Sequence, residues 1–312
     1  MKNIITYKRI TSEYNNVCYI NSIFALFLYL YINKGGSSTL FISHVDFQDT
    51  LKNSKLDNVI ILDSKLNGKW DSLLYKFGLL QYDINSYIKG KHFFGHDHIT
   101  YAFLFNLEKG SILEDGIGNY NGPIPLKNQI KRALKGRVIS PLGYSNKIQY
   151  VYLSRPEDAD VKLEKKIKPF SMVSFLDYTR NHSLSIIFDK VSPSLKNKKI
   201  LFTQPISEAG IVSEDEKIQI YKEIIDKYNI DMIKPHPRDI SNYSKSFKCS
   251  IVDKFIPAEA MISPEDKDIT LYTLNSTSLY NLKKVNSNIT IKILLSDLHQ
   301  NLNDWKKGQY KL

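Results

Sequence analysis

The first half of the chain carries short apolar runs at residues 17–20, 39–43 and 58–62. They lack strict apolar–polar alternation, which predicts strands covered on both faces, as in a parallel sheet. Residues 23–31 are apolar almost all round and predict a buried helix. Ser22 supplies its N-cap, and Gly35-Gly36 its stop. Further helices are expected over 100–106 and 127–135, and strands over 110–113 and 149–153. Residues 155–168 are charged, contain Pro156 and read as a connector.

The second half repeats the rhythm. Strands are expected at 199–202, 232–233, 251–252, 269–274 and 289–295, with a short helix over 279–284. Residues 213–228 predict a strong helix whose first turn holds Glu214, Asp215 and Glu216, where the macrodipole favours negative charge. Alternating elements argue for an α/β fold. The expected architecture is two Rossmann-like domains, residues 1–165 and 166–312, facing a cleft. Open parallel sheets bind ligands at the carboxyl ends of their strands.

Composition narrows the class. A chain of 312 residues with 42% hydrophobic and 24% charged residues is an ordinary globular one. Cys18 and Cys249 are too few for a disulfide framework and fit a reducing compartment. The N-terminal stretch lacks a secretory apolar core. The longest apolar run, 20–32, is too short for a membrane span of about 20 residues. The formal charge of +11 is scattered in short lysine clusters. A nucleic-acid-binding protein would instead concentrate basic and aromatic residues on one face.

Chemistry is concentrated in a few polar motifs, each following an expected strand. Glu114-Asp115-Gly116 ends the strand at 110–113, and Gly116 and Gly118 permit a tight turn that leaves a carboxylate facing a cleft. An Asp-Gly pair is also a common plain turn. Lys234-Pro235-His236-Pro237-Arg238-Asp239 holds an imidazole between two fixed φ angles, with cations on either side. That suits a phosphate whose charge grows as its ester breaks. Pro257-Ala258-Glu259 offers a carboxylate for a ribose diol. Asn275-Ser276-Thr277-Ser278 places three hydroxyls at an expected helix start, where free N–H groups bind phosphate. Asp158-Ala159-Asp160 imitates a metal-binding pair but sits in the charged connector. His96-Asp97-His98 lacks a third ligand at a recognisable spacing. No Gly-rich phosphate loop and no G-x-G-x-x-G fingerprint occurs.

In this order the motifs resemble the bacterial sialyltransferases, most of all glycosyltransferase family 52, whose members act on lipooligosaccharide and capsular polysaccharide. The likeness is clear over 201–282, including Phe202-Thr203-Gln204-Pro205-Ile206-Ser207, and thinner in the first half. It implies a GT-B-like pair of domains and a metal-independent, inverting transfer of sialic acid from CMP-sialic acid. The first domain would hold the acceptor and the base, the second the CMP-sugar. Asp115 would be the base, with Glu214 or Asp215 as the alternative. His236 would hold or protonate the leaving phosphate, helped by Lys234, Pro235, Pro237 and Arg238. Ser276, Thr277 and Ser278 would bind that phosphate, and Glu259 the ribose. No cofactor and no metal is expected. The expected acceptor is a galactose-terminated glycan, joined in α-2,3 linkage. Another nucleotide-sugar donor, such as a hexosyl donor, stays open, as does a homodimer. The expected location is the cytoplasm, with weak contact at the inner face of the cell membrane and none with nucleic acid.

Overall fold

The computed structural model describes residues 5–6, 13–34, 38–44, 48–52, 54–62, 84–99, 102, 109–187, 195–262, 266–274, 279, 282–283 and 286–294. The chain divides into two compact units, Met1–Asp189 and Lys190–Leu312.

The first unit is built on strands β1 (Ile5–Thr6), β2 (Asn16–Ile20), β3 (Thr39–His44), β4 (Val59–Leu62), β5 (His92–Gly95), β6 (Gly110–Ile112), β7 (Ile148–Leu153) and β8 (Ile167–Pro169). They lie in the order β1-β4-β3-β2-β5-β6-β7-β8. Every pairing is parallel except β1 with β4. The second unit holds β9 (Lys199–Phe202), β10 (Met232–Lys234), β11 (Ser250–Ile251), β12 (Thr270–Thr273) and β13 (Thr290–Ile293). Their order, β11-β10-β9-β12-β13, is parallel throughout. The α/β class expected from the sequence, with a mainly parallel sheet in each unit, is therefore the class observed.

Strand order fixes where ligands go. In the second unit the chain winds outward through β9, β10 and β11, then reverses through β12 and β13. The first unit does the same from β2 through β3 and β4, then reverses through β5 and β6. Such a reversal opens a crevice outside the carboxyl ends of the two central strands. These are β2 and β5 in the first unit, β9 and β12 in the second.

Helix α1 (Ile23–Ile32) follows β2, and its N-cap Ser22 accepts the N–H of Ala25 at 3.1 Å. Its residues from Ala25 to Leu30 are buried. A second layer explains this all-round apolarity: Phe24 and Tyr31 pack edge-to-face on Phe175, with ring centroids 5.2 and 5.8 Å apart. Helix α2 (Leu126–Leu134) lies between β6 and β7. Helix α3 (Met172–Tyr178) continues into a π-helical stretch, Thr179–Ile187. The division at Asp189 therefore falls later than the expected border at 165. The end of the supposed connector, Ile167 and Lys168, pairs with β7 as part of β8, and Phe175 of α3 packs on Phe24 of α1. Helix α4 (Glu214–Tyr228) opens on a capping box: Ser213 Oγ accepts the Glu216 N–H, and the Glu216 carboxylate accepts the Ser213 N–H.

Tyr272 and Leu274 of the β12 region, Leu201 of β9 and Ile233 of β10 form the buried core of the second unit with Ile220, Tyr221 and Ile224 of α4. The helix expected over 100–106 lies outside the described residues apart from Ala102. Gly35-Gly36 lies outside them too. Of 279–284, the described residues 279, 282 and 283 are helical.

Candidate active site

In the second unit β10 carries Lys234, and its carboxyl end delivers Pro235 and His236. The His236 loop is held at three points. Its N–H donates to Thr203 Oγ1 at 3.1 Å, its carbonyl accepts the Asp239 N–H at 2.9 Å, and its Nδ1 accepts the Arg238 N–H at 3.1 Å. A ring nitrogen that accepts a backbone N–H carries no proton, so the imidazole is the neutral tautomer with the proton on Nε2. Burial, then the charges of Arg238 and Lys234, lower its pKa to about 4. Lys234 is itself buried, and its ammonium donates to the carbonyls of Pro235 and Lys254 at 2.7 and 3.0 Å. It thus fastens the loop from beneath. Pro235 is buried, and Arg238 is exposed.

Beneath the loop lies a buried charged network. Asp239 accepts from Thr203 Oγ1 at 2.7 Å, Tyr243 OH at 2.6 Å and Lys217 Nζ at 2.8 Å. Lys217, fully buried on α4, also donates to Ser207 Oγ and to both Glu208 carboxylate oxygens. Burial would raise the pKa of Asp239, but the Lys217, Tyr243 and Thr203 hydrogen bonds outweigh it and hold the pKa low. Because Thr203 joins Asp239 to the His236 N–H, the network sets the position of the imidazole. Sequence reading quoted Thr203 and Asp239 without a role and missed Lys217, Glu208 and Tyr243. A signal existed for Lys217: it stands on the apolar stripe of α4 with Ile220, Tyr221 and Ile224, where a lysine needs a buried partner.

Glu214, one alternative base, joins the edge of this network. Its carboxylate accepts Ser207 Oγ at 2.7 Å and lies 3.8 Å from Lys217 Nζ. Its side chain is 47% exposed. Burial opposes its ionised form, but hydrogen bonds from Ser241 and Ser207 and the Lys217 charge together outweigh it and lower its pKa. Asp215 is exposed in the same first turn.

In the first unit three loops meet at the crevice between β2 and β5. Asn21 follows β2, His96 and His98 follow β5, and Asp115 follows β6. His96 is fully buried, and its Nδ1 donates to Asn21 Oδ1 at 2.6 Å. The Asp115 carboxylate, 30% exposed, lies 3.4 Å from His98 Nε2 and 3.7 Å from His96 Nδ1. Burial pushes Asp115 up, but the charge of His96 and the His98 hydrogen bond bring it below its ordinary value. Its neighbour Glu114 turns the other way. It is buried and accepts the N–H and hydroxyl of Ser154 at 2.6 and 3.1 Å. Asp97 is buried as well, and its carboxylate accepts the N–H groups of Leu142 and Gly143 at 2.6 and 3.0 Å. The His96-Asp97-His98 run, read from sequence as a doubtful metal site, instead brings two imidazoles to the candidate base. Among the described residues no group of three His, Cys, Asp or Glu is arranged to hold a metal ion.

The remaining expected residues divide as follows. Asp158 pairs with Arg155 at 2.8 Å, and Asp160 caps a short helical turn through the Lys162 N–H, so local structure accounts for both. Glu259 lies in the short helix Ala258–Met261, its side chain outside the described set. Ser276, Thr277 and Ser278 lie outside the described residues; in sequence they follow the carboxyl end of β12.

Comparison with known proteins places this geometry in context. An uncharacterized protein of Haemophilus influenzae is 32% identical over 205 residues, a match spanning 61% of this chain and 65% of that relative. Among solved structures, UDP-GlcNAc 2-epimerase from Methanocaldococcus jannaschii aligns over 96% of this chain and all of its own, with TM-score 0.42 and 11% identity. S. aureus MnaA in complex with UDP aligns over 95% of this chain and 88% of its own, with TM-score 0.39 and 12% identity. The sequence profile of glycosyltransferase family 52 matches residues 49–298, well over half of the 312, and the chain belongs to that family.

Proposed function

We propose that this chain is an inverting, metal-independent sialyltransferase. It moves sialic acid from CMP-sialic acid to a galactose-terminated glycan of a surface polysaccharide or lipooligosaccharide, in α-2,3 linkage. Family membership supports glycosyl transfer of the sialyl type. The observation that carries the donor assignment is the neutral His236 held at the carboxyl end of β10 with Nε2–H as its remaining donor.

In the proposed reaction the acceptor hydroxyl oxygen attacks the anomeric carbon. The bond from that carbon to the CMP phosphate oxygen breaks, and the phosphate keeps the electron pair. The Nε2–H of His236 and the Arg238 guanidinium meet the charge that develops there. The hydroxyls of Ser276, Thr277 and Ser278 add donors, and Glu259 accepts the ribose diol. One phosphate needs only a few such donors, so the reaction runs without a divalent cation. A histidine with its pKa near 4 holds the phosphate by hydrogen bond and keeps its own proton. Lys234, Pro235 and Pro237 shape the loop.

Asp115 accepts the acceptor proton, with His98 orienting its carboxylate. Glu214 is the second reading, favoured by its place on the hydrogen-bonded network beneath His236. The enzyme works as a peripheral protein at the inner membrane face, and a homodimer is compatible with this scheme.

A nucleotide screen by thermal shift tests the donor. CMP should raise the melting temperature, while UDP, GDP and CDP should not, and transfer from CMP-sialic acid should persist in EDTA. Stabilisation by UDP alone, or transfer only with added Mg²⁺ or Mn²⁺, overturns the assignment.

A further inference from the structure

Helix α2 is inverted. A surface helix ordinarily turns its apolar stripe inward, yet α2 has no buried residue. Leu126, Ile130 and Leu134, spaced one turn apart on one side, are 70%, 54% and 71% exposed. Ile139, just beyond the helix, is exposed too. Its polar side faces the protein instead. The Arg132 guanidinium donates to the carbonyls of Val138, Asp97 and His98, and Gln129 Nε2 donates to the carbonyl of Ile124.

Charge identifies what the outward stripe meets. Lys127, Lys131 and Lys135 each follow a stripe residue by one position, so a basic row runs beside the apolar one. Lys131, Arg132, Lys135 and Arg137 line a cleft of about 270 Å³ together with Ile124 and Asn128. No Asp or Glu occurs anywhere from residue 116 to residue 156. An apolar stripe bordered by cations and lacking acids is the pattern of an interfacial helix on anionic lipid. A protein partner would have to be acidic and apolar in the same register. A bilayer offers both features without register.

We propose that α2 is the membrane-docking surface of this protein. The Leu126–Ile130–Leu134 stripe enters the headgroup–acyl boundary of an anionic bilayer, and the cleft receives a lipid phosphate. The placement follows through Arg132, which ties the helix to the carbonyl of His98, the residue beside Asp115. Docking there sets the candidate acceptor site next to the lipid surface, where a lipid-linked glycan is presented. The inference deepens the membrane-facing reading above. Vesicle binding requires no transfer chemistry, so it can fail while CMP binding stands, and the reverse.

The test is flotation of the full chain with vesicles of phosphatidylcholine alone or mixed with phosphatidylglycerol. Binding is expected to the mixed vesicles only and to weaken with salt. Each basic residue near the surface contributes about fivefold, so Lys131→Glu with Lys135→Glu should lower binding by more than about twentyfold. Leu126→Ser with Ile130→Ser and Leu134→Ser should lower it at least as much. Melting curves verify that the variants fold. Ile130→Trp provides an independent readout: its added fluorescence should shift to the blue and be quenched by brominated lipid. Wild-type binding by both multiple variants, or no shift at Ile130→Trp, overturns the proposal. So does a concentration-dependent dimer that the triple serine variant dissolves, since the occupant would then be a second copy.

Discussion

Nδ1 of His236 accepts the backbone N–H of Arg238 at 3.1 Å, across the ring of Pro237. The bond can form only while Nδ1 lacks a proton. Nitrogen-detected NMR at neutral pH should therefore show the Nε2–H tautomer, titrating with a midpoint of about 4. The sign for stability follows by linkage. Unfolded histidine binds a proton near pH 6.5 and the folded one near 4, so the unfolded state holds more protons between them. Stability should decline as pH falls through that window, and His236→Ala should flatten the decline. The same variant, if folded, should lower turnover by about 10²–10³-fold, the usual cost of one transition-state donor. Turnover within a factor of two of wild type would remove His236 from the donor site.

Lys217 and Asp239 form an ion pair at 2.8 Å in which neither side chain is exposed. Taking away one partner leaves the other charge buried and unmatched, which typically costs about 3–5 kcal/mol. Lys217→Met keeps most of the volume, so its cost should come from charge. Denaturant unfolding should show a loss of that size. His236 should lose its fixed ring position, read as a midpoint moving from about 4 toward the ordinary value. A loss under about 1 kcal/mol would mean that Asp239 finds other compensation.

The base assignment turns on paired substitutions. Asp115→Asn keeps shape and removes proton-accepting power. Turnover should fall by about 10²–10⁴-fold, with CMP affinity unchanged. His98→Gln retains a donor for Asp115. It should keep most activity, because the Asp115 carboxylate stays hydrogen-bonded and oriented. Wild-type turnover by Asp115→Asn, together with loss in Glu214→Gln or Asp215→Asn, would move the base to the start of α4.

Much of the fold was legible because buried parallel strands read as unbroken apolar runs. Strands β2, β3, β4 and β9 and helix α4 lie within a residue or two of their expected bounds. The His-Phe-Phe-Gly strand β5 escaped notice because it is short and ends in glycine, yet it is the element that carries His96 and His98 to Asp115. Spacing could not reveal that meeting, since nineteen positions separate Asp115 from His96 and only strand order makes them neighbours. Lys217 hid for a related reason. Its partner Asp239 lies on a loop 22 residues away in sequence, and a lysine among acidic residues at a helix start reads as solvated surface. The helix over α2 was expected, but its inverted orientation depends on what its polar side binds.

Gly143 supplies the last prediction. Its φ of +90° lies in the region that side chains avoid, and a Cβ built there would stand 2.5 Å from Val151 Cγ2. Its N–H donates to Asp97 Oδ2 at 3.0 Å, and its carbonyl accepts from Lys166 Nζ at 2.9 Å. Gly143→Ala therefore meets two costs: backbone strain, and a close contact with a β-branched core residue that cannot swing aside. Together these should destabilise the first unit by about 2–4 kcal/mol. The loop relieves this by pulling away from Asp97, whose buried carboxylate then loses a hydrogen bond. Asp97 stands between His96 and His98, so the disturbance should reach Asp115. Hydrogen exchange should show earlier opening around Gly143 and in the 96–98 loop, with weaker acceptor binding and CMP affinity intact. An alanine variant with wild-type melting and acceptor KM would show that the 142–143 turn is uncoupled from the acceptor side.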